Sequence, residues 1–179
     1  MNYIPRIIEK RIKERLFKEK VIILYGARQV GKTTLAQKIL AEFGENGKYL
    51  NCELASVETG LSVLEAEKIK SFLGDYKIIV LDEAQNIRNI GKVLKIIVDT
   101  YPKMQIIATG SSSFDLFQKI SEPLTGRNFQ FMLYPLSASE IKESGDLFYL
   151  ESKLENLLRF GGYPGVFGLS EEEAKERLN

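Results

Sequence analysis

Residues 26–34 read Gly-Ala-Arg-Gln-Val-Gly-Lys-Thr-Thr, the spacing G-x-x-x-x-G-K-[ST] that cradles phosphate. Gly26 and Gly31 let the backbone turn tightly and approach an anion with no Cβ in the way. The loop amides and the N-terminus of a following helix then face negative charge. Lys32 brings a positive charge to the terminal phosphates, and the Thr33 hydroxyl can ligate Mg²⁺. The candidate nucleotide-binding residues are therefore Gly26, Ala27, Arg28, Gln29, Val30, Gly31, Lys32, Thr33 and Thr34. A plain glycine turn between a strand and a helix is the competing reading. The flanks favour the phosphate loop: the apolar run Val21–Tyr25 leads in, and the helix-like stretch Leu35–Leu40 leads out.

A second chemical constellation follows about fifty residues on. The run Ile78-Ile79-Val80-Leu81 is apolar throughout, as a strand buried on both faces of a parallel sheet must be, and Asp82-Glu83 come directly after it. Such a strand delivers its acids to the C-terminal edge of the sheet, beside the phosphate loop. Asp82 would hold Mg²⁺ through its water shell, and Glu83 would orient and polarise an attacking water. An acidic pair after a strand can also simply cap the next helix. The pairing with residues 26–34 is what gives it chemical meaning. A further strand, Gln105–Thr109, runs into Gly110-Ser111-Ser112-Ser113. Thr109 or Ser111 could sense a terminal phosphate there, or the serines could cap a helix over 114–121.

Composition narrows the alternatives. The 179 residues are enough for one domain with a real core, and 44% of them are hydrophobic. With 25 basic and 24 acidic residues the net charge is +1, which gives no general argument for nucleic acid or a membrane surface. There is no histidine, so Ser-His-Asp and Cys-His catalysis are absent. The single Cys52 excludes an internal disulfide and suits a reducing compartment. No run approaches 18 apolar residues and the N-terminus is mixed and charged, so the expectation is a cytoplasmic protein with no membrane partner.

The elements that must position these groups alternate along the chain. Residues 4–19 have near-helical apolar spacing and a basic face that reads as solvated. The sharper alternative places Tyr3–Arg6 beside an adenine. Tyr49–Cys52 reads as a second strand, and 60–73 as a helix with Leu61, Leu64, Ile69, Phe72 and Leu73 inward. A helix over 89–100 stops at Tyr101-Pro102. Phe129–Tyr134 reads as a fifth strand, followed by the capping box Ser137-x-x-Glu140. Helices from about 151 to 160 and from 171 flank a break at Gly161–Gly165. Five strands alternating with helices give an α/β three-layer sandwich with a mostly parallel sheet. Residues 1–145 would form the nucleotide-binding domain, and 146–179 a separately packed start of a helical lid.

The loop at 26–35, Leu81-Asp82-Glu83-Ala84-Gln85, Thr109–Ser113, Leu124-Thr125-Gly126-Arg127 and Arg159–Pro164 occur in this order. Together they resemble the AAA-like P-loop ATP-binding proteins of bacteria and archaea that usually carry a C-terminal domain of unknown function. The resemblance implies an AAA-type P-loop NTPase core with strand order 5-1-4-3-2, and it implies ATP and Mg²⁺. It also places Arg127 where such proteins often carry an arginine finger, just before the fifth strand, which would make a homo-oligomer a partner. An exposed arginine or a structural ion pair is the alternative there. Members of that family are usually much longer, so the expectation is a fragment whose missing C-terminal domain carries partner binding.

The leading function is thus an ATPase that couples Mg-ATP hydrolysis to a conformational or assembly change, with Lys32, Glu83 and Arg127 as its catalytic groups. A nucleotide-dependent switch with little turnover is the alternative, and a P-loop kinase a third; Glu83 after the metal-binding acid favours water as acceptor over a kinase substrate. No N-K-x-D or D-x-x-G pattern supports a GTPase. The Asp-Glu-Ala-Gln run looks like a helicase box, but only one core is present where such helicases need two.

Overall fold

The structure, a computed structural model, describes residues 3–111, 123–145, 147–167 and 169–178. The helix expected over 114–121 and the serines at 112 and 113 lie outside the described residues. Five strands make one sheet: β1 (Val21–Tyr25), β2 (Gly47–Asn51), β3 (Ile78–Asp82), β4 (Gln105–Gly110) and β5 (Asn128–Met132). Their spatial order is β2-β3-β4-β1-β5 and every pairing is parallel, which is the 5-1-4-3-2 order. The described helices are α1 (Ile7–Lys13), α2 (Lys32–Ala41), α3 (Ala55–Leu61), α4 (Ala66–Leu73), α5 (Ile90–Thr100), α6 (Ala138–Ser144), α7 (Leu147–Phe160) and α8 (Glu171–Leu178).

The central strands are buried almost throughout, and apolar apart from Asp82, Gln105 and Thr109, because both of their faces are covered. Side chains alternate across the pleat. Val21, Ile23, Ile79, Leu81, Ile106 and Ala108 face one way, packing on α3, α4 and α5. Ile22, Leu24, Ile78, Val80 and Ile107 face the other, packing on α1 and α2. In α5 the buried residues Ile90, Val93, Leu94, Ile97 and Val98 fall at the i, i+3, i+4, i+7, i+8 spacing of one helix face. Register brings the strand ends together: Leu24 stands opposite Thr109, Leu81 opposite Ala108, and Asn51 opposite Asp82.

Several boundaries differ from the sequence expectation. The first helix covers only Ile7–Lys13; Phe17 and Glu19 take left-handed backbone, with φ of 57° and 56°, and turn the chain into β1. The Phe17 N–H donates to Gln105 Oε1 at 2.6 Å, so a contact from β4 holds that turn. The single helix expected over 60–73 is two, α3 and α4. Glu65 is extended at the start of α4, and the Ser62 hydroxyl takes up the Glu58 carbonyl at 2.7 Å. Leu64 consequently lies exposed in the break, while Leu61, Ile69 and Leu73 are buried as expected. β2 begins at Gly47 and β5 at Asn128, each before the expected start, and α7 begins at Leu147.

The capping box forms: the Glu140 N–H donates to Ser137 Oγ, and the Ser137 N–H donates to Glu140 Oε2. The chain after α7 turns back onto the core. Gly161 is left-handed at φ 73°, and the Leu136 N–H donates to the Gly162 carbonyl at 2.6 Å. Leu136, Ile141 and Phe167 form a small buried cluster with Ile4, Leu150 and Leu157 packed on it. A Cβ on Gly162 would come within 2.2 Å of the Leu136 carbonyl oxygen. Gly162→Ala is expected to cost ~1–3 kcal/mol through forced backbone displacement. Urea unfolding checks this, with limited proteolysis showing earlier cleavage after residue 160 than in the parent.

Candidate functional site

The loop between β1 and α2 runs along the C-terminal edge of the sheet, and its glycines do different work. A Cβ on Gly26 would lie 2.2 Å from the Leu133 carbonyl oxygen, so the missing side chain admits the chain leaving β5 rather than a ligand. The Leu133 N–H donates to the Tyr25 carbonyl at 2.7 Å in the same approach. Gly31 caps α2 with φ 95°, a conformation glycine adopts without strain. A polar cleft of about 580 Å³ opens over this loop. Arg28, Gln29, Gly31, Lys32, Thr33 and Thr34 line it from the loop side, and Glu83 and Ser111 from the strand ends. Gly26, Ala27 and Val30 form the loop without lining the cleft; Val30 is wholly buried.

Lys32 is 5% exposed and its ammonium donates to the carbonyls of Gly26 at 3.1 Å and Ala27 at 2.8 Å. Burial pulls its pKa below the ordinary lysine range, while the fields of Glu83 and Asp82 oppose that shift. Asp82, 5% exposed, receives hydroxyls from three elements. Thr33 Oγ1 donates to it at 2.9–3.0 Å, Tyr49 OH at 2.7 Å and Thr109 Oγ1 at 2.5 Å. Thr109 is fully buried behind Asp82, does not line the cleft, and also accepts the Glu83 N–H at 3.1 Å. The structure thus places Thr109 as a support for the two acids, not at the phosphate position expected for it. Ser111 does reach the cleft.

Glu83 sits in left-handed backbone, φ 53° and ψ 46°, which for a non-glycine residue is a strained conformation of the kind found at functional sites. That turn directs it into the cleft, where its carboxylate accepts from Gln85 Nε2 at 2.5 Å. Gln85 Nε2 also lies 3.2 Å from Ser111 Oγ, linking the ends of β3 and β4. Arg127 stands elsewhere. It immediately precedes β5, its carbonyl accepts from the Val21 N–H at the start of β1, and it pairs with Asp99 at 2.6 Å. That is the N-terminal edge of the sheet, a strand length of roughly 16 Å from the cleft edge.

Sequence reasoning missed several residues. From the sequence Tyr49 reads only as strand; its place near the end of β2, beside β3, is the available signal. Glu53 and Gly165 line the cleft and carry no such signal, whereas Pro164, which also lines it, ends the Arg159–Pro164 stretch of the family pattern. Within the basic segment, read as a solvated face or, for Tyr3–Arg6, as a neighbour of an adenine, Arg6 is 6% exposed and bonded to Glu140, Val30 and Tyr134. A second cavity of about 280 Å³, more apolar, adjoins the first. Tyr3, Ile4, Leu136 and Pro164 line it, and Gly31 and Thr34 are shared by both. Cys52 is buried; burial first, and then the negative field of Asp82 and Glu83, push its thiol up to about 12, which removes it as a nucleophile.

The oxygen set fits a magnesium ion. Thr33 and Asp82 supply a hydroxyl and a carboxylate side by side, and Mg²⁺ is typically held by one or two such protein groups, with phosphates and waters completing the shell. Among the described residues no group of three or more His, Cys, Asp or Glu could hold a metal by protein ligands alone.

A parallel 5-1-4-3-2 sheet with a glycine loop, lysine and threonine facing a strand-end acid pair defines the class: an AAA-type P-loop nucleotide-binding core. Residues 18–142 match the family described as an AAA domain, and the chain belongs to that family. It is 28% identical over 188 residues to an uncharacterized protein of Methanocaldococcus jannaschii, covering 97% of this chain and 42% of that protein. It is 30% identical over 159 residues to an uncharacterized protein of Mycobacterium tuberculosis, covering 88% and 33%. The chain therefore spans less than half the length of these relatives. Among solved structures, a Walker-type ATPase of Pyrococcus abyssi is similar with a TM-score of 0.58 and 18% identity, over 98% of this chain and 63% of that one. At that identity the likeness is one of fold. Among the described residues no helix is long and apolar enough to cross a membrane.

Thr109→Val keeps the shape of the buried side chain and removes its hydroxyl. Asp82 Oδ1 then loses a donor and the Glu83 N–H its acceptor, an expected loss of ~1–3 kcal/mol. Chemical denaturation with an unchanged m-value checks it; a variant as stable as the parent would mean water replaces the hydroxyl at no cost.

Proposed function

We propose that this chain is the nucleotide-binding core of an ATPase that hydrolyses Mg-ATP to drive a conformational or assembly change. Residues 1–145 are the nucleotide-binding domain in this reading, and 146–179 the beginning of a helical lid. The observation that carries it is the convergence at one sheet edge of Lys32 and Thr33 from the loop with Asp82 and Glu83 from β3.

The phosphates occupy the polar cleft, against the amides of residues 28–34 and the N-terminus of α2. The base enters the adjoining apolar cavity, between Tyr3, Ile4 and Leu136. Lys32 exchanges its loop carbonyls for phosphate oxygens, and its desolvated charge is worth more there than in water. When bound, Mg²⁺ would supply positive charge that neutralises the phosphates. Thr33 and Asp82 are the groups that hold it. Glu83 orients the attacking water and takes its proton as the water oxygen bonds to the terminal phosphorus, while the bond from that phosphorus to the bridging oxygen breaks and ADP leaves. To do so it releases Gln85.

In this reading Arg127, at the far edge of the sheet, acts on the nucleotide of a neighbouring copy and not on its own. Its ion pair with Asp99 and the Glu83–Gln85 bond favour the second reading as well, a nucleotide-dependent switch in which a lone chain binds ATP and turns it over slowly.

Variants at Lys32, Glu83 and Arg127 test this. Lys32→Ala is expected to stay folded and lose most Mg-ATP affinity in calorimetry, whereas Glu83→Gln retains ATP and slows hydrolysis ~10²–10⁴-fold in single-turnover phosphate release. Undiminished binding by the first variant would sink the phosphate-loop assignment. Arg127→Ala is expected to keep ATP affinity and lose the concentration-dependent part of the activity, since an arginine at the transferring phosphoryl group is worth ~10³–10⁵ in rate. Mixing it with Lys32→Ala protein should restore part of that activity. Specific activity that stays flat with protein concentration, together with no recovery in the mixture, would make Arg127 a structural residue.

A further inference from the structure

Arg6 is buried where three stretches remote in sequence meet: its own N-terminal segment, the phosphate loop and the chain from Tyr134 to Glu140. Its Nε donates to Glu140 Oε1 at 3.0 Å, one terminal nitrogen donates to the Val30 carbonyl at 2.8 Å, and the other donates to the Tyr134 carbonyl. A guanidinium is a rigid planar fork, so these three acceptors fix its position and its plane together. Glu140 is itself immobilised. Its Oε1 also accepts the Ile7 N–H at 2.9 Å, and its Oε2 accepts the N–H and hydroxyl of Ser137 at the start of α6. Burial alone would raise the Glu140 carboxyl, but the N–H groups of Ser137 and Ile7 and the Arg6 guanidinium hold it below the usual carboxylate range.

Val30 is the residue before Gly31, the left-handed cap of α2 that lines both cavities. A trans peptide is planar, with its C=O and N–H pointing in opposite directions. No peptide bond among the described residues is cis. Holding the Val30 carbonyl toward Arg6 therefore turns the Gly31 N–H away from Arg6. That amide is one of the four at the start of α2 with no partner inside the helix. We propose that Arg6 is a positioning residue for phosphate: by clamping the Val30 carbonyl it presets the Gly31 N–H as an anion donor. The inference rests on the nucleotide reading above and extends it to the N-terminal segment and to α6. A free loop would sample both orientations of that peptide, and the flipped one would present a carbonyl oxygen to the anion. The clamp removes the flipped state before any ligand arrives, so less is lost on binding.

The probe is inorganic tripolyphosphate with Mg²⁺, which has phosphate chemistry and no base. Two variants keep the site folded by different routes. Arg6→Lys retains the charge opposite Glu140 but lacks the fork that reaches three acceptors. Arg6→Met combined with Glu140→Gln removes both buried charges together, which avoids leaving one unpaired. Calorimetry measures affinity, and the ¹⁵N–¹H signal of Gly31 in labelled protein reports the amide itself. The parent is expected to bind tripolyphosphate with a downfield displacement of the Gly31 amide. Both variants are expected to melt cooperatively, to bind roughly tenfold more weakly, and to show a much smaller Gly31 displacement. Unchanged affinity in either folded variant overturns the clamp. Weaker affinity with a full Gly31 displacement also overturns it, since Arg6 would then contact phosphate directly. A parent that binds neither tripolyphosphate nor ATP overturns the nucleotide reading itself, and the clamp with it.

Discussion

The arrangement of this site depends on one buried carboxylate. Asp82 accepts hydroxyls from Thr33 on α2, Tyr49 on β2 and Thr109 on β4, and so ties the loop helix to two strands of the sheet. A carboxylate withdrawn from water must have its oxygens satisfied, and three O–H donors do this without a fixed positive charge. That choice keeps the centre adaptable: a hydroxyl can turn from the acid to a metal, whereas a buried arginine would cancel the charge that a metal needs. Thr109 extends the constraint by also taking the Glu83 N–H, so the two adjacent acids are set by a single side chain behind them.

Around that centre the parallel sheet does the positioning. Every strand of a parallel sheet ends at the same edge, so the loops after β1, β3 and β4 converge without any long excursion of the chain. The same rule separates Arg127 from the cleft, because the segment before a strand lies at the opposite edge from the segments after it. One sheet thus presents the phosphate-loop cleft on one rim and Arg127 on the other.

A second set of contacts encloses the site from outside the sheet. Arg6, Glu140, Tyr134 and Val30 join the N-terminal segment, the exit from β5 and the phosphate loop. Leu136 and Gly162 exchange a backbone hydrogen bond that brings the tail over the same loop, and Pro164 lines both cavities. Two close approaches depend on missing Cβ atoms, Gly26 against Leu133 and Gly162 against Leu136. These contacts make the apolar cavity beside the phosphate cleft a product of distant segments.

The sequence by itself determined the parts governed by local pattern. The apolar runs at 21–25 and 78–81, and the shorter one at 106–108, read as strands covered on both faces, and the glycine, lysine and threonine spacing at 26–34 gains its meaning between a strand and a helix. The capping box at Ser137 and Glu140 was legible because its two bonds close within four residues. The break between α3 and α4 was not, since helical spacing persists across a turn and only Leu64 in solvent betrays it. The tertiary structure alone decided the roles of Arg6, Tyr49 and Thr109. Arg6 has partners 24, 128 and 134 residues away, and nothing in a basic amphipathic stretch marks which arginine will be buried. Thr109 and Tyr49 could be assigned only once strand register was known, because a hydroxyl at the end of a strand serves the ligand or the neighbouring acid according to which strand lies beside it.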